Sequence, residues 1–245
     1  VLYAGVAGAD ATDASPASTM PEMSARDMAD LMGMNDAAAL GKLMIDQLEL
    51  EADADRTSVS WDAQGWYGTD YDKLWVKSEG APSASGSAAA RNEVLWDRVI
   101  SRWWSLQAGV RVDLAQGPTR GWAAAGLEGL APYRFDLEAA LYLADAGRTA
   151  ARLRAQRDLL VTQRFILQPE FEAEFYGRSD AARQLGAGLS ELQLALRARY
   201  EIRREIAPYI GMAWRRDCGT TAQYARADRA PAAALEWVAG LHVWL

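Results

Sequence analysis

Five of the seven methionines stand close together, at Met20, Met23, Met28, Met32 and Met34. A thioether is a soft ligand, so several on one segment suit Cu(I) better than Cu(II) or a hard cation. The same stretch also fits a plainer pattern, in which Ser24 and Asp27 open a short helix with Met28, Leu31 and Met32 as its apolar stripe. Asp27, Asp30 and Asp36 add hard oxygen ligands that do not select copper. A second group is Glu170, Glu172 and Glu174. Spaced by two in an extended chain, they lie on one face, where a row of carboxylates can line a path for a cation. His242 and Cys218 are each the only residue of their type. A single histidine in a strand serves structure as readily as metal binding, and a single cysteine forms no internal disulfide. A hydrolase needs a nucleophile aligned with a base. His242 is flanked on its own face by Gly240 and Trp244, with no evident Ser or acid partner, so the chain reads as a non-enzyme and an outer-membrane hydrolase as a remote alternative.

These groups sit on two kinds of chain. Residues 1–9 are small and apolar and run through Ala7, Gly8 and Ala9 into Asp10, the form of a signal-peptide remnant ending at an Ala-x-Ala site. Residues 10–41 are rich in Ala, Asp, Ser, Thr and Met and carry no aromatic residue, so they read as a flexible arm. From 42 to 245 the pattern is alternation. In the last segment Leu235, Trp237, Ala239, Leu241, Val243 and Leu245 share one face, and Glu236, Val238, Gly240, His242 and Trp244 the other. Phe165, Leu167, Phe171, Ala173 and Phe175 likewise oppose Gln168 and the three glutamates, and about a dozen such segments follow one another. The stretch 43–51 is the least regular of them.

No apolar run approaches the ~20 residues of a membrane helix; Glu128 interrupts the apolar stretch 122–130. Alternating strands escape that test, because a lipid-facing residue is followed by a lumen-facing one. Connections separate a transmembrane barrel from a soluble sandwich. Short links near residues 68–70, 100–102, 131–134, 160–164 and 203–207 alternate with longer ones at 81–89, 115–120, 177–188 and 217–233, joined by two short links near Asp53 and Asp145. Short turns on one rim and longer loops on the other describe an antiparallel up-and-down transmembrane β-barrel of about 12 strands, its termini on the periplasmic side. The ten tryptophans and nine tyrosines suit interfacial girdles. Trp103, Trp104, Tyr133, Phe135, Phe165 and Tyr209 are assigned to the periplasmic one. Inward charges of both signs, among them Glu49, Lys77, Glu79, Arg152, Arg154 and Arg197, are expected to pair across the lumen. Pro169 falls inside a strand and must be tolerated there or mark a bulge. A net charge of −7 argues against a nucleic-acid partner.

Residues 61–80 (WDAQGWYGTDYDKLWVKSEG), 107–153 (with GPTRGW, GLAPY and AGRTAARL), 159–177 (LLVTQRFILQPEFEAEFYG) and 185–226 (beginning LGAGLSELQLALRARYEIRREIAPYIGMAW) carry a family likeness. Through them the chain resembles the copper resistance protein B family of Gram-negative outer membranes, over roughly residues 40–245. The resemblance implies a barrel preceded by a metal-rich periplasmic arm. It implies copper tolerance by binding copper ions or moving them across the outer membrane, and a periplasmic multicopper oxidase or copper carrier as partner. The five methionines occupy the place of that arm, which here contains no histidine. A barrel that only docks periplasmic copper proteins and conducts nothing is the alternative.

Overall fold

A computed structural model describes residues 39–244 apart from 53–56, 83–87, 115–117 and 204. The described residues form twelve strands: β1 (Leu40–Ala52), β2 (Thr57–Gly68), β3 (Asp72–Pro82), β4 (Ala88–Val99), β5 (Trp104–Leu114), β6 (Arg120–Ala131), β7 (Phe135–Ala144), β8 (Thr149–Gln156, resuming as Leu159–Leu160), β9 (Phe165–Tyr176), β10 (Gly188–Tyr200), β11 (Ile206–Asp217) and β12 (Ala233–Trp244). Each pairs antiparallel with the next. β12 returns to β1 through pairs running from Met44↔Trp244 to Ala52↔Trp237, which closes the sheet and leaves no edge. The expected signal-peptide remnant, the expected arm as far as residue 38 with its five methionines, and Leu245 lie outside the described residues, while Leu40 and Gly41, the last two residues assigned to the arm, open β1.

Alternation decides what faces where. Leu48, Val110, Leu141, Leu194, Ile210 and Trp237 are exposed, while Glu49, Arg111, Tyr142, Arg197 and Val238 are buried. Each buried residue in this set follows or precedes an exposed apolar one in the same strand. Apolar side chains in water cost roughly 25 cal/mol per Å², so a continuous outward apolar surface around a polar interior identifies lipid as the outer medium.

Two irregularities have local causes. In β1 the register shifts between Ile45 and Leu48 against β12 and between Ile45 and Gln47 against β2. This bulge turns both Asp46 and Gln47 toward the lumen, and the outward series switches from Leu43 and Ile45 to Leu48 and Leu50. In β9, Pro169 accepts a hydrogen bond at its carbonyl from the Arg157 amide, 3.2 Å away. A strand residue points its N–H and C=O to the same neighbour, so the donor that proline lacks would also face β8. There β8 is interrupted between Gln156 and Leu159.

The connections divide as the sequence indicates. Links of three to five residues join β2–β3, β4–β5, β6–β7, β8–β9 and β10–β11 at one rim. The other rim carries the longer β9–β10 loop and the β11–β12 loop, which contains helix α1 (Gly219–Ala227), together with the tight 3-10 turn Asp145–Gly147. In that turn Ala146 and Gly147 have φ of 53° and 68°, a left-handed pair that the glycine makes easier.

The girdle assignment needs one correction. Trp103, Tyr133 and Phe135 are exposed at the short-turn rim, and Trp104 and Phe165 are half-buried. Tyr209 is 5% exposed and points inward, whereas its neighbour Ile210 is 67% exposed. Its ring lies over Gly240, where a Cβ would stand 2.5 Å from the Tyr209 hydroxyl and 2.6 Å from the Leu48 carbonyl. A glycine across the ladder makes room for an aromatic ring inside the barrel, which proximity to a turn does not reveal.

Candidate functional site

The three glutamates of β9 face the lumen in a row, as their spacing requires, and each is held by arginine. Glu170 accepts from Arg154 Nε at 2.9 Å, from Gln47 Nε2 at 3.2 Å, and from Arg197. Glu172 takes a bidentate pair from Arg152 Nε and Nη2, at 2.7 and 2.9 Å. Glu174 accepts from Arg91 and from the Tyr176 hydroxyl at 3.2 Å. The forked Arg152–Glu172 contact fixes orientation as well as charge.

The arginines reach onward. Arg197 donates through Nε to Glu49 at 2.6 Å and through Nη2 to Gln47 at 3.0 Å. Arg154 reaches Asp62 on β2 at 2.8 Å, Arg152 reaches Glu79 on β3 at 2.7 Å, and Arg91 lies 3.6 Å from the same Glu79. Lys77 on β3 bridges Glu128 and Glu138 on β6 and β7, at 3.0 and 3.2 Å. Signs alternate along this web, so strands on opposite sides of the barrel are tied together through its interior. Burying unpaired charge would cost several kcal/mol per ion.

Toward the short-turn rim the web leaves a polar chamber of about 80 Å³, whose lining includes Asp46, Gln64, Asp136, Glu138, Arg154 and His242. His242 Nδ1 stands 3.1 Å from the Asp46 carbonyl oxygen and 3.8 Å from its carboxylate. Asp46 also accepts from Gln64 Nε2. The histidine thus has an acidic neighbour that its own strand does not supply; the β1 bulge delivers it. Cys218 belongs to the opposite rim, where its Sγ lies 3.8 Å from the Arg216 carbonyl, so the two single-copy candidates are not brought together. Among the described residues no group of three or more His, Cys, Asp or Glu side chains is placed to hold a metal ion.

Sequence reasoning missed Asp46, Gln47, Gln64 and Asp62 as partners. Asp62 and Gln64 share the inward face of β2 by alternation, but nothing in the sequence names their partners. Asp46 and Gln47 had a readable signal, since two consecutive polar residues separate apolar pairs of opposite parity.

Comparison with known proteins agrees with this architecture. The model of the family described as "Copper resistance protein B precursor (CopB)" matches residues 39–245. The chain is 39% identical over 211 residues to "Copper resistance protein B" of Escherichia coli, covering 86% of this chain and 71% of that protein. It is 42% identical over 211 residues to "Copper resistance protein B homolog" of Pseudomonas syringae pv. tomato (strain ATCC BAA-871 / DC3000), covering 86% and 72%. Among solved structures, the NanC porin in its rhombohedral crystal form superposes with a TM-score of 0.53 at 10% identity, covering 83% of this chain and 99% of the porin. At that identity the likeness is one of fold alone: a porin-like outer-membrane barrel. With a family match over all the described strands and two relatives near 40% identity, the chain belongs to the copper resistance protein B family.

Proposed function

We propose that copper is the cargo of this outer-membrane barrel. In this reading the segment carrying Met20, Met23, Met28, Met32 and Met34 lies in the periplasm and captures Cu(I), because thioethers are soft, neutral donors. The ion then moves along the lumen past Glu170, Glu172 and Glu174, with His242 beside Asp46 as an extra ligand position at the chamber. The observation that carries the reading is the row of three carboxylates on one lumen face in a copper resistance family member. Since each carboxylate is already arginine-bound, a cation in transit displaces a guanidinium at every step, and passage is stepwise rather than free.

Those same pairings favour a second reading, in which the barrel conducts nothing and the arm recruits a periplasmic multicopper oxidase or copper carrier. Copper flux into liposomes holding the purified chain separates the two. Flux above that of empty liposomes, reduced in a Glu172→Gln variant, supports passage; flux equal to empty liposomes removes it and leaves docking. The arm is tested separately with a peptide of residues 10–41. It is expected to bind Cu(I), and replacement of all five methionines by leucine to abolish binding; equal binding by the methionine-free peptide would discard the thioether assignment.

A further inference from the structure

Two arginines at the long-loop rim stand apart from the lumen web. Arg216, on β11, and Arg226, in the last turn of α1, are both exposed and line one open cavity of about 340 Å³ with Trp214, Cys218 and Ala222. Among the described residues neither guanidinium is paired with a carboxylate or stacked on a ring, whereas Arg215, between Trp214 and Arg216 in chain order, turns inward to Glu191 at 3.1 Å. Asp217 also borders the cavity, but alternation sends its side chain to the lumen side with Arg215.

The register places this cavity at a boundary. Trp214 pairs with Leu194 on β10 and Leu235 on β12, and both leucines are exposed on the outer surface. The next outward row holds Leu192, Arg216 and Ala233. Outward positive charge therefore begins one row above Trp214, at Arg216, set between Leu192 and Ala233. An interfacial tryptophan capped by arginine is the arrangement met where acyl chains give way to headgroups. Helix α1 is fixed over this spot, since Thr221 Oγ1 lies 2.7 Å from Ser190 Oγ and accepts from the Gly186 amide at 2.8 Å. Arg226 is thereby held on the same cavity as Arg216.

We propose that this cavity binds the phosphorylated headgroup of an outer-leaflet glycolipid, that is, of lipopolysaccharide. Two exposed guanidiniums on one cavity offer forked donors to phosphate oxygens, and Trp214 below them meets the first methylenes of the acyl chains. The inference depends on the long-loop rim facing outward and not on how copper is handled.

The test extracts the full chain from outer membranes in mild detergent and reads bound lipid by native mass spectrometry. Wild type is expected to retain a bis-phosphorylated lipopolysaccharide, and an Arg216→Glu/Arg226→Glu variant to retain about tenfold less or lower. Heat-resistant gel mobility reports that the variant barrel is folded, and single Arg216→Gln and Arg226→Gln variants serve if it is not. Added dephosphorylated lipopolysaccharide is expected not to bind. Undiminished retention by the variants would overturn the proposal, as would equal retention of phospholipid. Wild type that retains inorganic phosphate but no lipopolysaccharide would overturn the lipid source and leave only a site for the free anion.

Discussion

Arg197 and Arg111 are both buried guanidiniums of the lumen, 2% and 3% exposed, yet their surroundings differ in kind. Arg197 binds Glu49 and Gln47 on β1 and Glu170 on β9, so its partners come from two other strands of the barrel wall. Arg111 binds Asp113 two residues along its own strand, through Nε at 2.6 Å and Nη2 at 3.0 Å. It lies over the Tyr142 ring at 4.4 Å and the Trp122 ring at 5.7 Å. Trp122 and Tyr142 belong to an apolar cluster with Leu95, Ala124, Ala150 and Tyr176, and they complete the local polar set: Trp122 Nε1 donates to Asp113 and the Tyr142 hydroxyl to Glu93, both at 2.9 Å. One region of the lumen is held by charges that tie distant strands, the other by aromatic rings that hold a charge in place. Crossing pairs set which strands stand opposite each other; stacked pairs fill volume and need no partner across the lumen.

The largest expected effect follows from removing Arg197. Arg197→Met leaves Glu49 without its guanidinium and removes one of two from Glu170, and should cost about 3–5 kcal/mol. Urea unfolding in lipid vesicles, followed by tryptophan fluorescence, measures it. Restoring part of that loss with a second change, Glu49→Gln, would tie the cost to the stranded carboxylate; a single-variant loss below about 1 kcal/mol would mean that crossing pairs do not hold the barrel. Arg111→Met should cost less, about 1–3 kcal/mol, because Asp113 keeps the Trp122 donor and the methionine still packs against two rings. A cost equal to that of Arg197→Met would erase the distinction between the regions. Trp122→Phe is smaller again, about 1 kcal/mol, since the ring stays and only the donor to Asp113 is lost.

Much of this was legible in the chain. Period-two alternation with a side-chain face of each kind dictates strands, and the succession of short and longer links dictates their up-and-down order, so strand number and closure follow. Side-chain direction followed wherever alternation was unbroken, as at Glu170, Glu172, Glu174 and His242. It was harder to read at the β1 bulge, where Asp46 and Gln47 both turn inward, because a bulge is a property of the pairing and not of one strand. The partner of each charge was not legible at all. Arg152 and Glu79 are 73 positions apart, and their contact depends on the barrel's cross-section, which no local pattern encodes. Tyr209 shows the same limit, its place being set by Gly240 on the neighbouring strand.

The long-loop rim offers the mildest way to sharpen the contrast. Arg148 donates to Asp145 at 2.7 Å and lies 3.9 Å from Asp180, which Arg120 also contacts at 2.8 Å. The Asp145 side chain is 76% exposed, so water competes for both partners of that pair and salt screens them. Arg148→Ala should therefore change stability by less than about 1 kcal/mol, and that small loss should shrink further as ionic strength rises. The same titration should leave the cost of Arg197→Met unchanged, since mobile ions do not reach a fully buried pair. A salt-insensitive loss at Arg148 as large as that at Arg111 would show that the rim pairs, like the lumen pairs, are structural ties, and that burial is not what separates strong ion pairs from weak ones in this barrel.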